Sequence, residues 1–257
     1  MKLAVAALAT SMLIPSPAHA ANTHQPDLNA VLSRPRQRLQ TADYRATGRI
    51  VRVSPEGART NYPLTLKAHG FPGVLRILCE ISSPAGAREH ILLEMHPDGQ
   101  DSIRIVHPGD KAPATLPFEK WIDSPLGSGF SYEDFLEAHY FWPDQKLLES
   151  KKYGARDCDV LRSMPGPTTR THYAEIRTWL DRDIGYPVYV EKSPKGTAAV
   201  KEFTSFGLRQ NGVVWSASQV EVKLHGRPGS TLLIIERGST KANFNLGDFS
   251  SERLTRF

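Results

Sequence analysis

Cysteine is nearly absent, with Cys79 and Cys158 the only two in 257 residues. No Cys-x-x-Cys and no His-x-x-x-His occurs among them and the nine histidines, so the spacings that hold zinc are missing. Gly-x-Ser-x-Gly is missing too, because Leu126 stands where the first glycine before Ser128 would be needed. No glycine-rich phosphate loop opens a helix. Lys and Arg exceed Asp and Glu by only five. That surplus suits weak attraction to anionic lipid head groups or acidic partners, and it is too diffuse for nucleic acid. The longest apolar run, Leu3 to Ile14, falls short of the ~20 residues that span a membrane. Metal chemistry, serine-hydrolase chemistry, nucleotide cofactors and DNA binding therefore all lack their signatures.

That short apolar run has a meaning of its own. Lys2, the run itself and Ala18-His-Ala20 form a basic start, an apolar centre and a small-x-small cleavage site. Residues 1–20 are expected to be a cleaved signal peptide, and residues 21–257 one exported domain in the periplasm. An even cysteine count in an oxidising compartment permits one disulfide. Both cysteines fall within expected strands, and the plainer reading is two small buried apolar residues.

Strands dominate the rest of the chain. Segments rich in Val, Ile, Leu and Tyr, such as 44–53, 62–69, 74–82, 173–180 and 213–224, are separated by Pro-Glu-Gly (55–57), Pro84-Ala-Gly86, Gln210-Asn-Gly212 and similar turns. Val220, Val222 and Leu224 alternate with Gln219, Glu221 and Lys223, and Ile176 and Leu180 oppose Glu175 and Arg177. Connections of two to six residues suit hairpins and are too short for parallel crossovers. About eleven such strands and two or three helices predict a mainly β protein. Its architecture would be a strongly curved antiparallel sheet, an open half barrel, with short helices covering the concave side.

At the N-terminal end, Asp27 to Leu32 reads as a short helix weakened at Pro35, with Arg34, Arg36 and Arg38 on a solvated face. At the other end the tail is expected to bring Leu246, Phe249 and Leu254 back onto the sheet.

In the middle stands Gly127-Ser-Gly-Phe-Ser-Tyr-Glu-Asp-Phe135. Its glycines allow a sharp turn, and Ser131 with Asp134 three residues on approximates a capping box. Tyr132, Phe135, Leu136, His139 and Tyr140 then recur at helical spacing, predicting a short helix over 130–140. Ser131, Asp134 and His139 invite comparison with a catalytic triad. Eight helical residues span roughly 12 Å, however, too far for Ser131 to bond His139.

This stretch resembles the signature of the LolA-like outer-membrane lipoprotein-sorting proteins. Tyr173-Ala-Glu-Ile-Arg-Thr-Trp-Leu-Asp181, Tyr186-Pro-Val and Lys201 continue the pattern. The resemblance implies carriage of lipoprotein acyl chains or related lipids rather than catalysis, with no cofactor. Implied partners are an inner-membrane transporter that loads a monomeric carrier and an outer-membrane acceptor that unloads it. Arg45 and Arg49 are the candidates, by location alone, for the family's lid-locking arginine. A sensor or accessory module of an envelope stress or lipid-export system is the alternative.

A cavity for acyl chains needs apolar lining more than polar groups, since each buried CH₂ contributes roughly 0.8 kcal/mol. The sheet would supply Ile77, Leu93, Ile105, Ile176, Val190 and Phe203. Phe135, Leu136 and Tyr140 would form the lid. Taken singly, each of these side chains is more simply read as part of a dry core, and the expectation concerns the concavity as a whole.

Overall fold

The computed structural model describes residues 27–211 and 214–257; the expected signal peptide, residues 1–20, lies outside them. The chain begins with helix α1 (Leu28–Gln40) and continues into a meander of β1 (Asp43–Val53), β2 (Arg59–Phe71), β3 (Val74–Ser82), β4 (Arg88–Met95), β5 (Ser102–Val106) and β6 (Ala114–Thr115). A second meander runs through β7 (Asp144–Leu147), β8 (Lys151–Tyr153), β9 (Arg156–Met164), β10 (Tyr173–Asp181) and β11 (Pro187–Pro194). It ends with β12 (Lys201–Asn211), β13 (Val214–Leu224), β14 (Ser230–Ser239) and the short helix α2 (Ser251–Leu254). All fourteen strands join one antiparallel sheet, ordered β6-β5-β4-β3-β2-β1-β14-β13-β12-β11-β10-β9-β7, with β8 also on β9.

Among the described residues, only the β1–β14 contact joins strands that are not close in sequence. A bulge between Thr47 and Gly48 interrupts that pairing, which sharpens local twist. A Cβ at position 48 would collide with the Ile234 carbonyl, so glycine is required there. Among the described residues, end strands β6 and β7 do not pair. The half barrel is open, as the alternation and short turns predict.

Opposed residues of antiparallel strands share a face. The concave face therefore carries Ile50, Leu64, Cys79, Ile91, Leu93 and Ile103, all in one apolar cluster. Over β3–β5 the convex face is buried as well, with Leu78, Leu92 and Val106 covered by Phe249 and Leu254 from the tail. Leu246 does not join them and is 60% exposed. Cys79 and Cys158 are buried free thiols.

Helix α1 is longer than its proline suggests. Asp27 caps it, accepting from the Asn29 amide, and it passes through Pro35 to Gln40. Leu32, Pro35 and Leu39 share its buried face, and burial of that stripe offsets the lost backbone hydrogen bond.

Because β6 and β7 lie at opposite ends of the sheet, residues 116–143 form a strap across its whole width. The strap carries the Gly127–Phe135 motif. The single helix expected over 130–140 is replaced by two 3₁₀ turns, Tyr132–Phe135 and Ala138–Phe141. Leu136 between them is extended, at φ −89° and ψ 128°. Helical spacing of apolar residues could not register that three consecutive polar side chains here reach three different parts of the sheet.

Candidate functional site

Gly127 and Gly129 turn the strap with φ of +75° and +100°, as their sequence position suggests. Beyond them the motif works as a clasp. Tyr132 donates its hydroxyl to Glu89 of β4 at 2.7 Å. Glu133 accepts from the Thr171 hydroxyl and from the His172 amide and ring ahead of β10. Asp134 accepts from the Tyr173 hydroxyl at 2.5 Å, the Ser131 amide at 2.8 Å and the Lys201 ammonium at 2.8 Å. All three motif side chains are buried, and each is satisfied by the sheet beneath.

Burial alone would raise the Asp134 pKa, but Lys201 and Lys192 outweigh it and hold the carboxyl well below its usual range. Lys192 lies 3.7 Å from the carboxylate. Burial pushes Lys192 down more than that carboxylate lifts it. Lys201, at 2.8 Å against 3.7 Å, is the principal counter-ion. The Lys192 ammonium also sits 4.7 Å from the Phe203 ring centroid and 5.2 Å from that of Tyr173, where the ring faces attract a cation.

Ser131, Asp134 and His139 serve different partners. The Ser131 hydroxyl accepts from Lys201 at 3.2 Å, and His139 Nε2 lies 3.3 Å from the Thr178 hydroxyl. Burial first, then the positive Lys192 and Arg38, keep His139 neutral to well below its usual pKa. This geometry builds a brace between strap and sheet.

The strap is also tied from above. Arg36 of α1 donates through Nε to the Tyr140 carbonyl at 2.8 Å, and Arg38 forms a two-pronged ion pair with Glu137. These two arginines therefore face the strap, not solvent as their spacing suggests, and only Arg34 of the three is exposed. Arg45 and Arg49 do not touch the strap. Arg45 is exposed, and Arg49 pairs with Glu236.

The expected cavity residues gather on or against the concave side. Leu93, Leu136, Tyr140 and Phe203 are buried in the main cluster, with Ile77, Ile105, Phe135 and Val190 packed against it and partly open. Ile176 is buried beside Trp142 and Tyr173. Around Leu136 and Ile176 the packing is close, leaving about 10 Å³, room for one water. A more open stripe crosses the middle strands. Val190 faces Phe203, Phe203 faces Val222, and Val220 faces Leu233. Val190, Val220 and Leu233 are only partly buried.

Lys192 is a part of this site that motif reading passes over. Its signal is parity, since it shares a strand face with Val188 and Val190, where an apolar residue is expected.

Among the described residues, no cluster of His, Cys, Asp or Glu is placed to hold a metal ion. No helix there is long and apolar enough to cross a membrane.

A family model described as an uncharacterized protein matches residues 75–256. No curated protein matches the sequence. Among solved structures, a domain described as an outer membrane lipoprotein-sorting protein from Vibrio parahaemolyticus superposes with a TM-score of 0.77 at 21% identity, covering 90% of this chain and 100% of that one. A DUF1329 family protein from Desulfovibrio piger gives 0.73 at 15%, covering 88% and 98%. A LolA superfamily protein from Nitrosomonas europaea gives 0.67 at 14%, covering 88% and 99%. At such identities the likeness establishes a shared fold, the open curved sheet.

Proposed function

We propose a lipid-binding role for this chain, which belongs to the uncharacterized protein family whose model matches residues 75–256 and has the fold of the LolA superfamily. The ligand is the acyl portion of a lipid or lipid-modified protein, held against the concave face. The observation that carries this reading is the stripe around the buried Phe203, where Val190, Val220 and Leu233 are apolar side chains on the inner face that their neighbours leave partly open. A sixteen-carbon chain taken from water contributes on the order of 10 kcal/mol. Space beneath Leu136 is small, so admission requires the strap to lift, with Phe135, Leu136 and Tyr140 as its lid. Affinity of that size also requires help with release. The protein therefore works in the periplasm between a membrane transporter that loads it and an acceptor that unloads it.

Mass spectrometry of lipids that co-purify, with displacement of a fluorescent fatty acid, tests the reading. Diacyl or triacyl species and saturable displacement are expected. Leu233→Glu, which puts a carboxylate in the stripe, should weaken the probe at least 100-fold. Ile234→Glu, on the opposite face, should leave binding near wild type. A protein recovered empty, with no probe affinity, would overturn the proposal.

A further inference from the structure

The convex side carries a second feature that acyl binding does not use. A groove of about 570 Å³ runs between the outer ends of β1–β4 and the C-terminal tail, lined by Thr47, Thr65, Arg88, Arg253, Arg256 and Phe257 among others. Its frame is firmly built. Phe249 and Leu254 anchor the tail in the convex apolar cluster. The His90 ring donates through Nδ1 to the Leu254 carbonyl at 2.7 Å and stacks on Phe257 with 4.0 Å between centroids. The Arg88 guanidinium lies 5.2 Å above the same ring.

Side-chain charge in the groove is one-sided. Its two carboxylate side chains already have cations of their own, Glu80 with Lys67 at 2.6 Å and Glu236 with Arg49. Arg253 reaches Glu80 only at 4.0 Å. Among the described residues, Arg88 and Arg256 have no carboxylate within that range. Three exposed guanidiniums thus border a volume suited to one small polar group, and their planar forks match phosphate oxygens. A protein partner would want an apolar anchor at the centre. Among the described residues, the exposed large apolar side chains, Ile122, Phe206, Leu224 and Leu246, do not line this groove, and the phenyl ring that does, Phe257, already packs on His90 and Arg88.

We infer that this groove docks the protein on membranes by taking the phosphodiester head group of an anionic phospholipid. It is separate from the concave face, so either site can fail without the other. Each basic residue near an anionic surface strengthens binding by roughly fivefold.

Co-sedimentation of the full chain with vesicles of phosphatidylcholine alone, or with 30% phosphatidylglycerol, tests the docking site. Wild type should prefer the anionic vesicles and lose that preference in about 1 M salt. Arg88→Gln/Arg256→Gln should bind them about 25-fold more weakly with a thermal midpoint within about 4 °C of wild type, the reach of one exposed cation–π contact, while Arg227→Gln at a distant turn should match wild type. The apolar run Leu3–Ile14 is common to every variant and cannot produce the difference. Equal binding by the double variant, no preference for anionic vesicles, or capture of an oligoglutamate peptide in place of vesicles would overturn the inference. Fluorescent fatty-acid binding, measured on the same samples, separates this failure from failure of the concave-face reading.

Discussion

Asp134 is the side chain on which the brace turns. Replacing it with asparagine leaves Lys192 and Lys201 facing each other's charge with no carboxylate between them. Loss of one partner from such a buried group costs about 3–5 kcal/mol, so Asp134→Asn should lower stability by that order in urea denaturation. Adding Lys192→Met should recover part of it, as a double-mutant cycle would register. Acid should act in the same direction on the wild type. Because the folded carboxyl is held below its unfolded value, the unfolded chain takes up the proton first. The contribution of Asp134 is complete above about pH 4 and declines below it. His139 titrates earlier. The fold refuses a proton that the unfolded imidazole accepts below about pH 6.5, so stability declines as pH falls through that region. Asp101, pushed up to about 6 by burial, gains a proton on folding and opposes this between about pH 4 and 6. His139→Gln should therefore flatten the decline between about pH 6.5 and 5 relative to wild type, with Asp101 common to both.

At the scale of elements, the strap depends on a turn that tolerates no side chain. Gly129 has φ +100°, and a Cβ there would overlap the buried Thr231 hydroxyl. Gly129→Ala should cost about 1–3 kcal/mol, read as a lower thermal midpoint. The strands themselves were legible in sequence, because alternation and turn residues act over neighbours only. Cys79, Ile91 and Leu93 could be assigned to strands without knowing what they touch. The segment 130–140 was not legible in the same way. Its apolar spacing suits a helix, yet Tyr132, Glu133 and Asp134 reach Glu89, Thr171 and Lys201, and those distant bonds decide the backbone. Pro35 errs in the opposite direction, since its local cost is visible in sequence and the burial that offsets it is not. Arg36 and Arg38 look solvated until Tyr140 and Glu137 are seen beneath them.

Considered as a whole molecule, the architecture was readable from short connections and one-sided alternation, whereas the strand order was not. Nothing in the local chemistry of β1 announces β14 as its neighbour. That adjacency gives the protein a seam, with Arg49 and Glu236 meeting across 187 positions of sequence. Contacts of such long separation form slowly. As a chain emerges from its N-terminus, β1 can pair with β2 at once but presents a bare outer edge until the last long strand arrives. Bare edges recruit foreign strands. The nascent polypeptide is thus most vulnerable to clumping in the interval before β14 appears, and the concave face does not exist until that seam is sewn.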